Sequence, residues 1–213
     1  MSGQFSMFVK KVMLAVCPVL AVLVISGCGS THSELSSTGG DVPPDYDYVI
    51  GPGDSMEIFV WGNEELTVNN VQVRPDGKIT TRLVENIQAS GKTPSQLARD
   101  IEAAYSEYVK SAVVSVIVGG FQGVPSQQVR VIGEAANPLK VPYSKHMTLL
   151  DLMVEVGGLT EFADGNDAVL VRQFGGEQKT YNIRLADLLE NGDISANVPL
   201  FPGDIVIIPE AWF

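Results

Sequence analysis

From Ser55 to Trp61 the chain alternates, with Met56, Ile58 and Val60 on one side and Ser55, Glu57 and Phe59 on the other. A period of two predicts a strand with one buried face. Val71 to Arg74 and Lys78 to Thr81 flank Pro75-Asp76-Gly77, and Asp-Gly accepts positive φ cheaply, so a hairpin is predicted there. The period then changes to that of a helix. Thr93-Pro94-Ser95-Gln96 forms a capping box with proline at the first helical position, and Leu97, Ile101, Ala104, Tyr105 and Tyr108 follow on one face. Ala112 to Val118 is an apolar, β-branched run that predicts a buried strand.

Glycine and proline punctuate the stretch Phe121 to Ser126, which marks an internal boundary. Beyond it, Gln127 to Gly133 reads as a strand, and Thr148 caps a short helix of Leu149, Leu152, Met153 and Val156 that Gly157-Gly158 stops. Ala168 to Gln173 and Lys179 to Ile183 read as strands around Gly175-Gly176. Leu185, Leu188 and Leu189 predict one more brief helix, and Ile205 to Ile208 a closing strand. Strands and helices mix without a regular βαβα alternation, so the expected class is α+β. Two small domains are expected, over residues 46–120 and 127–210.

The N-terminus stands apart from this pattern. Lys10 and Lys11 precede an apolar run from Val12 to Ile25, shorter than the ~20 residues of a membrane span, which reads as a signal peptide over residues 1–27. It closes on Ile25-Ser26-Gly27-Cys28, which resembles the lipobox of bacterial lipoproteins, where cleavage falls before a cysteine that is then acylated. Cys28 is the expected lipid attachment site. Gly29 stands where an aspartate would retain such a protein at the inner membrane, so the outer membrane is the expected address. Residues 28–45, rich in Ser, Thr, Gly and Pro, read as a lipidated tether.

Charge removes whole classes of function. The net charge is −11 and becomes −13 once Lys10 and Lys11 leave with the signal, which disfavours nucleic acid, whose phosphates demand Lys and Arg. Cys17 leaves with the signal and Cys28 is acylated, so no thiol remains for a zinc cluster or a nucleophile. Only His32, in the tether, and His146, in an expected exposed loop, remain as imidazoles. No catalytic, cofactor or metal residue is assigned.

Gly51-Pro52-Gly53-Asp54 invites a phosphate-loop reading, and Phe201-Pro202-Gly203-Asp204 repeats it near the other end. The chemistry is wrong: a Walker-type loop places Gly-Lys-Ser/Thr before a helix, whereas here an acid opens a strand. Proline fixes φ, glycine takes positive φ, and the carboxylates of Asp54 and Asp204 are expected to accept backbone N–H groups in Asx-type turns. Asp76-Gly77, Gly133, Gly157 and Gly158 are further turn positions. Glu64 and Glu65 could suggest a glycosidase pair, but neighbours on an extended segment point apart.

Taken in order, Tyr48 to Asp54, Ile58 to Trp61, Val73 to Ile79, Gly91-Lys92-Thr93 before Leu97, and Val113 to Val118 resemble the polysaccharide export domain of bacterial outer-membrane polysaccharide exporters. Val131 to Glu134, Thr148 to Asp151, Gly157-Gly158-Leu159, Val169 to Arg172 and the closing Phe201 to Ile205 resemble that family's soluble-ligand-binding β-grasp domain. The chain departs from larger members at Thr80 to Asn86, at Asn137-Pro138-Leu139, in having one β-grasp module, and in ending at Glu210-Ala211-Trp212-Phe213 without their membrane helix. The resemblance implies a non-enzymatic lipoprotein on the periplasmic face of the outer membrane, forming part of an export channel for exopolysaccharide or capsular polysaccharide. Its implied partners are further copies of itself in a ring, an inner-membrane copolymerase or chain-length protein, a separate outer-membrane β-barrel, and the polysaccharide. The alternatives are a periplasmic polysaccharide-modifying enzyme using Glu64, Glu65 or Asp164, and a glycan-binding module that does not assemble.

Overall fold

Along the chain the strands are β1 (Ser33–Glu34), β2 (Ser55–Val60), β3 (Val68–Gln72), β4 (Lys78–Ile79), β5 (Ile87–Gln88) and β6 (Val114–Gly120), then β7 (Gln128–Gly133), β8 (Lys140–Pro142), β9 (Ala168–Phe174), β10 (Glu177–Ile183) and β11 (Ile205–Ile208). Three helices interrupt them: α1 (Pro94–Tyr105), α2 (Leu149–Val156) and α3 (Leu185–Leu189). This computed structural model describes residues 32–35, 45–174 and 176–212. The expected signal segment, Cys28, most of the tether, Gly175 and Phe213 lie outside the described residues. The described fold is α+β, with two hydrophobic cores.

The first core gathers under a three-stranded antiparallel sheet of order β3-β2-β6. Alternation places Met56, Ile58 and Val60 of β2 inside and Phe59 outside. Helix α1 starts at the Thr93–Gln96 capping box and buries Leu97, Ala98, Ile101 and Tyr105. Each large apolar side chain buried this way contributes ~1.5–3 kcal/mol relative to exposure. Glu102 of the helix accepts the Val114 N–H at 2.9 Å, which fixes α1 against β6.

Three local expectations change here. Tyr108 lies past the end of α1 and is exposed, because the helix stops at Tyr105 and the chain turns. Strand β6 is half-buried rather than buried, since its other face, with Ser115 and Ile117, stays open to solvent. The turn at Asp76-Gly77 forms, with the Gly77 N–H donated to the Arg74 carbonyl at 2.8 Å. The strands on its two sides nevertheless part company: β3 pairs with β2, and β4 pairs with β5.

The second core lies against a six-stranded mixed sheet of order β1-β10-β9-β11-β7-β8. Strand β11 runs parallel to β7 and antiparallel to β9, so the last strand enters the middle of the sheet. Val129, Val131, Leu170, Val206 and Ile208 meet Leu149, Leu152, Met153 and Val156 of α2 and Leu185 and Leu188 of α3. The Thr148–Asp151 capping box opens α2, and Gly157 closes it in the left-handed conformation at φ 81°. At Gly133, φ 93°, β7 passes so close to β11 that a Cβ would lie 1.9 Å from the Ile208 carbonyl oxygen.

Ser33–Glu34 falls within the expected tether, yet it is β1, paired in parallel with β10. Glu34 also meets Arg184 at 2.7 Å, and Arg184 is shared with Asp187 and Asp193 at 2.8 Å each. Between the two cores the chain runs through a 3-10 turn, Pro125–Gln127. Gln128 donates to the Gln122 carbonyl at 2.9 Å, and the Val49 N–H to the Gln127 side chain at 3.3 Å.

Candidate functional site

Pro52 and Gly53 reverse the chain so that Asp54 folds back over its own turn, with the Gly51 N–H donated to its Oδ2 at 2.9 Å. Its other bonds are long-range. Oδ1 accepts the N–H groups of Gln122 at 2.6 Å and Gly123 at 2.9 Å, and the Tyr48 hydroxyl donates to Oδ2 at 2.5 Å. Asp54 is fully buried, and these four donors take the place of its hydration. Burial, and then the hydrogen bond to Asp54, hold the Tyr48 phenol far above its ordinary pKa, so it remains a donor. A Cβ on Gly51 would lie 1.8 Å from the Gly123 carbonyl oxygen, so only glycine lets the two segments approach.

Asp204 begins the same way, with Oδ2 accepting the Phe201 N–H at 2.8 Å. Its remaining bonds go to Arg172, whose Nε and Nη2 donate to Oδ1 and Oδ2 at 3.0 and 2.7 Å. This bidentate pair is buried, and the guanidinium also donates to the Pro199 carbonyl at 2.9 Å and stacks 3.7 Å above the Phe201 ring. Burial pushes the Asp204 carboxyl up from the usual carboxylate value, with Arg172 opposing it.

The other turn residues stand apart from both. Asp76 is exposed and accepts the Lys78 N–H at 3.2 Å, while Gly77, Gly158 and Gly203 have φ of 80°, 87° and 88°. Glu64 and Glu65 lie exposed in a 3-10 turn, and the Asp164 carboxylate accepts the Asp167 N–H at 3.3 Å. His32 and His146 are exposed. Among the described residues, no group of His, Cys, Asp and Glu is placed to hold a metal ion.

A groove of about 650 Å³ went unpredicted. Tyr46, Tyr48, Phe121, Tyr143, Lys145 and Glu155 line it, among others. Tyr46 packs edge-on against Tyr143 at 4.9 Å between ring centroids, and Tyr48 against Phe121 at 5.2 Å. The rings come from the segment before Gly51, from the stretch after β6 and from the end of β8, a convergence with no signature in sequence spacing.

Fold and site together define an α+β protein in which buried carboxylates fix turns and an aromatic-lined groove opens at the surface. Residues 42–119 match the polysaccharide biosynthesis/export protein family, and residues 127–208 match the SLBB domain. Two relatives, both polysialic acid transport protein KpsD of Escherichia coli, are 27% identical over 179 residues, covering 84% of this chain and 30% of theirs. The chain thus aligns with less than a third of the length of these relatives. These matches support the polysaccharide export family, with an export domain followed by an SLBB domain. These families are export and transport proteins, not enzymes.

Proposed function

We propose that this chain is an acylated periplasmic protein, anchored through Cys28 to the inner leaflet of the outer membrane, that forms part of the conduit for an exopolysaccharide or capsular polysaccharide. The observation that carries this reading is the order of the two family matches, export domain then SLBB domain, across most of the chain. Its role is passive. Copies assemble into a closed ring, and closed symmetry encloses a channel. The cores fit such a part, because buried carboxylates hold their turns rigid instead of presenting reactive groups. Opening and energy come from an inner-membrane copolymerase or chain-length partner, and a separate outer-membrane β-barrel completes the route.

Deleting the gene and fractionating medium, periplasm and cytoplasm tests this. Polymer lost from the surface but retained inside at normal length supports export. Unchanged secretion, or secretion of polymer with altered length or modification, refutes it. Gel electrophoresis of metabolically labelled protein from cells carrying Cys28→Ser checks the anchor, since the acyl label should vanish.

A further inference from the structure

We propose that the groove between Phe121 and the acidic face of α2 binds an uncharged stretch of glycan. This rests on the export reading for its class of ligand and adds the place and the chemistry of contact. Its volume of about 650 Å³ lies within the ~300–1,000 Å³ of small-molecule sites, enough for a short run of sugar rings.

The lining combines what a pyranose needs. Its apolar C–H face stacks on an aromatic ring, and Phe121 is 54% exposed at the groove. Its hydroxyls need acceptors and donors, which Ser144, Asp151 and Glu155 supply along the rim, all of them exposed. The walls are set before any ligand arrives. Tyr48 is tied to Asp54, Tyr143 is buried, and each packs edge-on against another ring, so little ordering entropy is lost on binding.

Charge selects among glycans. Among the described residues Lys145 is the only cation of the lining, and Asp45 pairs with it at 2.9 Å, with Asp47 acting on it as well. On the other rim Asp151 and Glu155 stand on α2. Asp151 is held in the capping box by the Thr148 N–H and hydroxyl, at 2.8 and 2.7 Å. Acid exceeds base around the groove, so a carboxylated sugar is repelled and a neutral one is accepted. Proline-rich peptides also dock in aromatic grooves, and the exported cargo is what favours glycan over peptide here.

The test uses the full chain purified in detergent and titrated calorimetrically. The probes are neutral oligosaccharides released by partial hydrolysis of the polymer that the producing cells secrete, an oligomer of sialic acid, and a proline-rich peptide. The expected result is at least about tenfold tighter binding of the neutral fragments than of the sialic acid oligomer. Phe121→Ala should lose about tenfold or more in affinity for those fragments, as ring truncation at a contact centre does. Glu155→Lys, far from the Asp54 turn, should shrink the discrimination against the anionic oligomer at an unchanged thermal midpoint. Wild-type affinity in Phe121→Ala, preference for the sialic acid oligomer, displacement by the peptide, or no neutral fragment that binds would each overturn the assignment. If gene deletion blocks export while the fragments fail to bind, the groove assignment falls alone. If deletion leaves export unchanged, the export reading falls.

Discussion

The turns ending in Asp54 and Asp204 share a short motif, the backbone bond that closes it, and one side-chain bond, donated by the N–H three residues before to the carboxylate at 2.9 and 2.8 Å. They differ in everything else those carboxylates reach. Asp54 takes backbone N–H groups from residues 122 and 123, on the connecting stretch between the cores, and a phenol from Tyr48. Asp204 takes a guanidinium from β9 of its own sheet. A four-residue pattern therefore fixes local geometry, and the distant partner decides whether the turn joins segments or staples one fold.

The sharpest way to break the comparison is to remove the guanidinium. Arg172→Ala leaves the Asp204 carboxylate buried without its counter-ion, which is expected to cost about 3–5 kcal/mol in urea unfolding. Hydrogen exchange should show the loss first in β9 and β11, with β2 protected. Equal loss in both sheets would contradict a staple internal to the second core.

Asp54→Ala should also destabilise, but where the two cores join and less strongly, at about 3 kcal/mol for the hydrogen bonds lost from a buried carboxyl group. Its expected signature is a gap between the unfolding transitions of the two cores, against a single transition expected for the wild type. Gly51→Ala attacks the same place by volume, placing a methyl against the Gly123 carbonyl, and overpacking there should cost about 1–3 kcal/mol. Wild-type stability in this variant would mean that the close approach of the two segments is not required.

The two turns also show what the sequence could carry. The bond to the residue three positions back spans one turn, so glycine, proline and aspartate in series announce it. Arg172 lies 32 residues before Asp204, and Gln122 lies 68 after Asp54, and nothing in either neighbourhood names its partner. The capping box at Thr93 and the cap at Thr148 were legible for the same reason that the turns were: they close within four residues. The hairpin expected around Asp76-Gly77 went the other way, since its turn is local but strand pairing is not, and β3 found β2 instead. The groove was hidden because its four rings come from three separated stretches, whatever the total count of aromatics.

Milder changes refine the picture. Tyr48→Phe keeps the ring against Phe121 and removes one donor to Asp54, so about 1 kcal/mol is expected in urea unfolding, well short of Asp54→Ala. The smallest effect concerns acid. Asp187 and Asp193 are held below the usual carboxylate range, chiefly by hydrogen bonds from Asn166 and Ser195 and then by Arg184. A carboxyl depressed in the fold contributes stability that is present above its unfolded value of ~3.9 and is lost as pH falls through its folded value. Protection of the β10 amides should therefore hold from neutral pH to about 4 and decline below that. A decline that begins near neutrality would point to another group.

Strand β1 holds the edge of β10 by two residue pairs and the ion pair of Glu34 with Arg184. An arm so short peels away at little expense, and the ladder it leaves is the same on every copy. An identical copy would carry the same two strand pairs and the same ion-pair partners. Between chemically identical contacts, effective concentration and not contact energy is what discriminates.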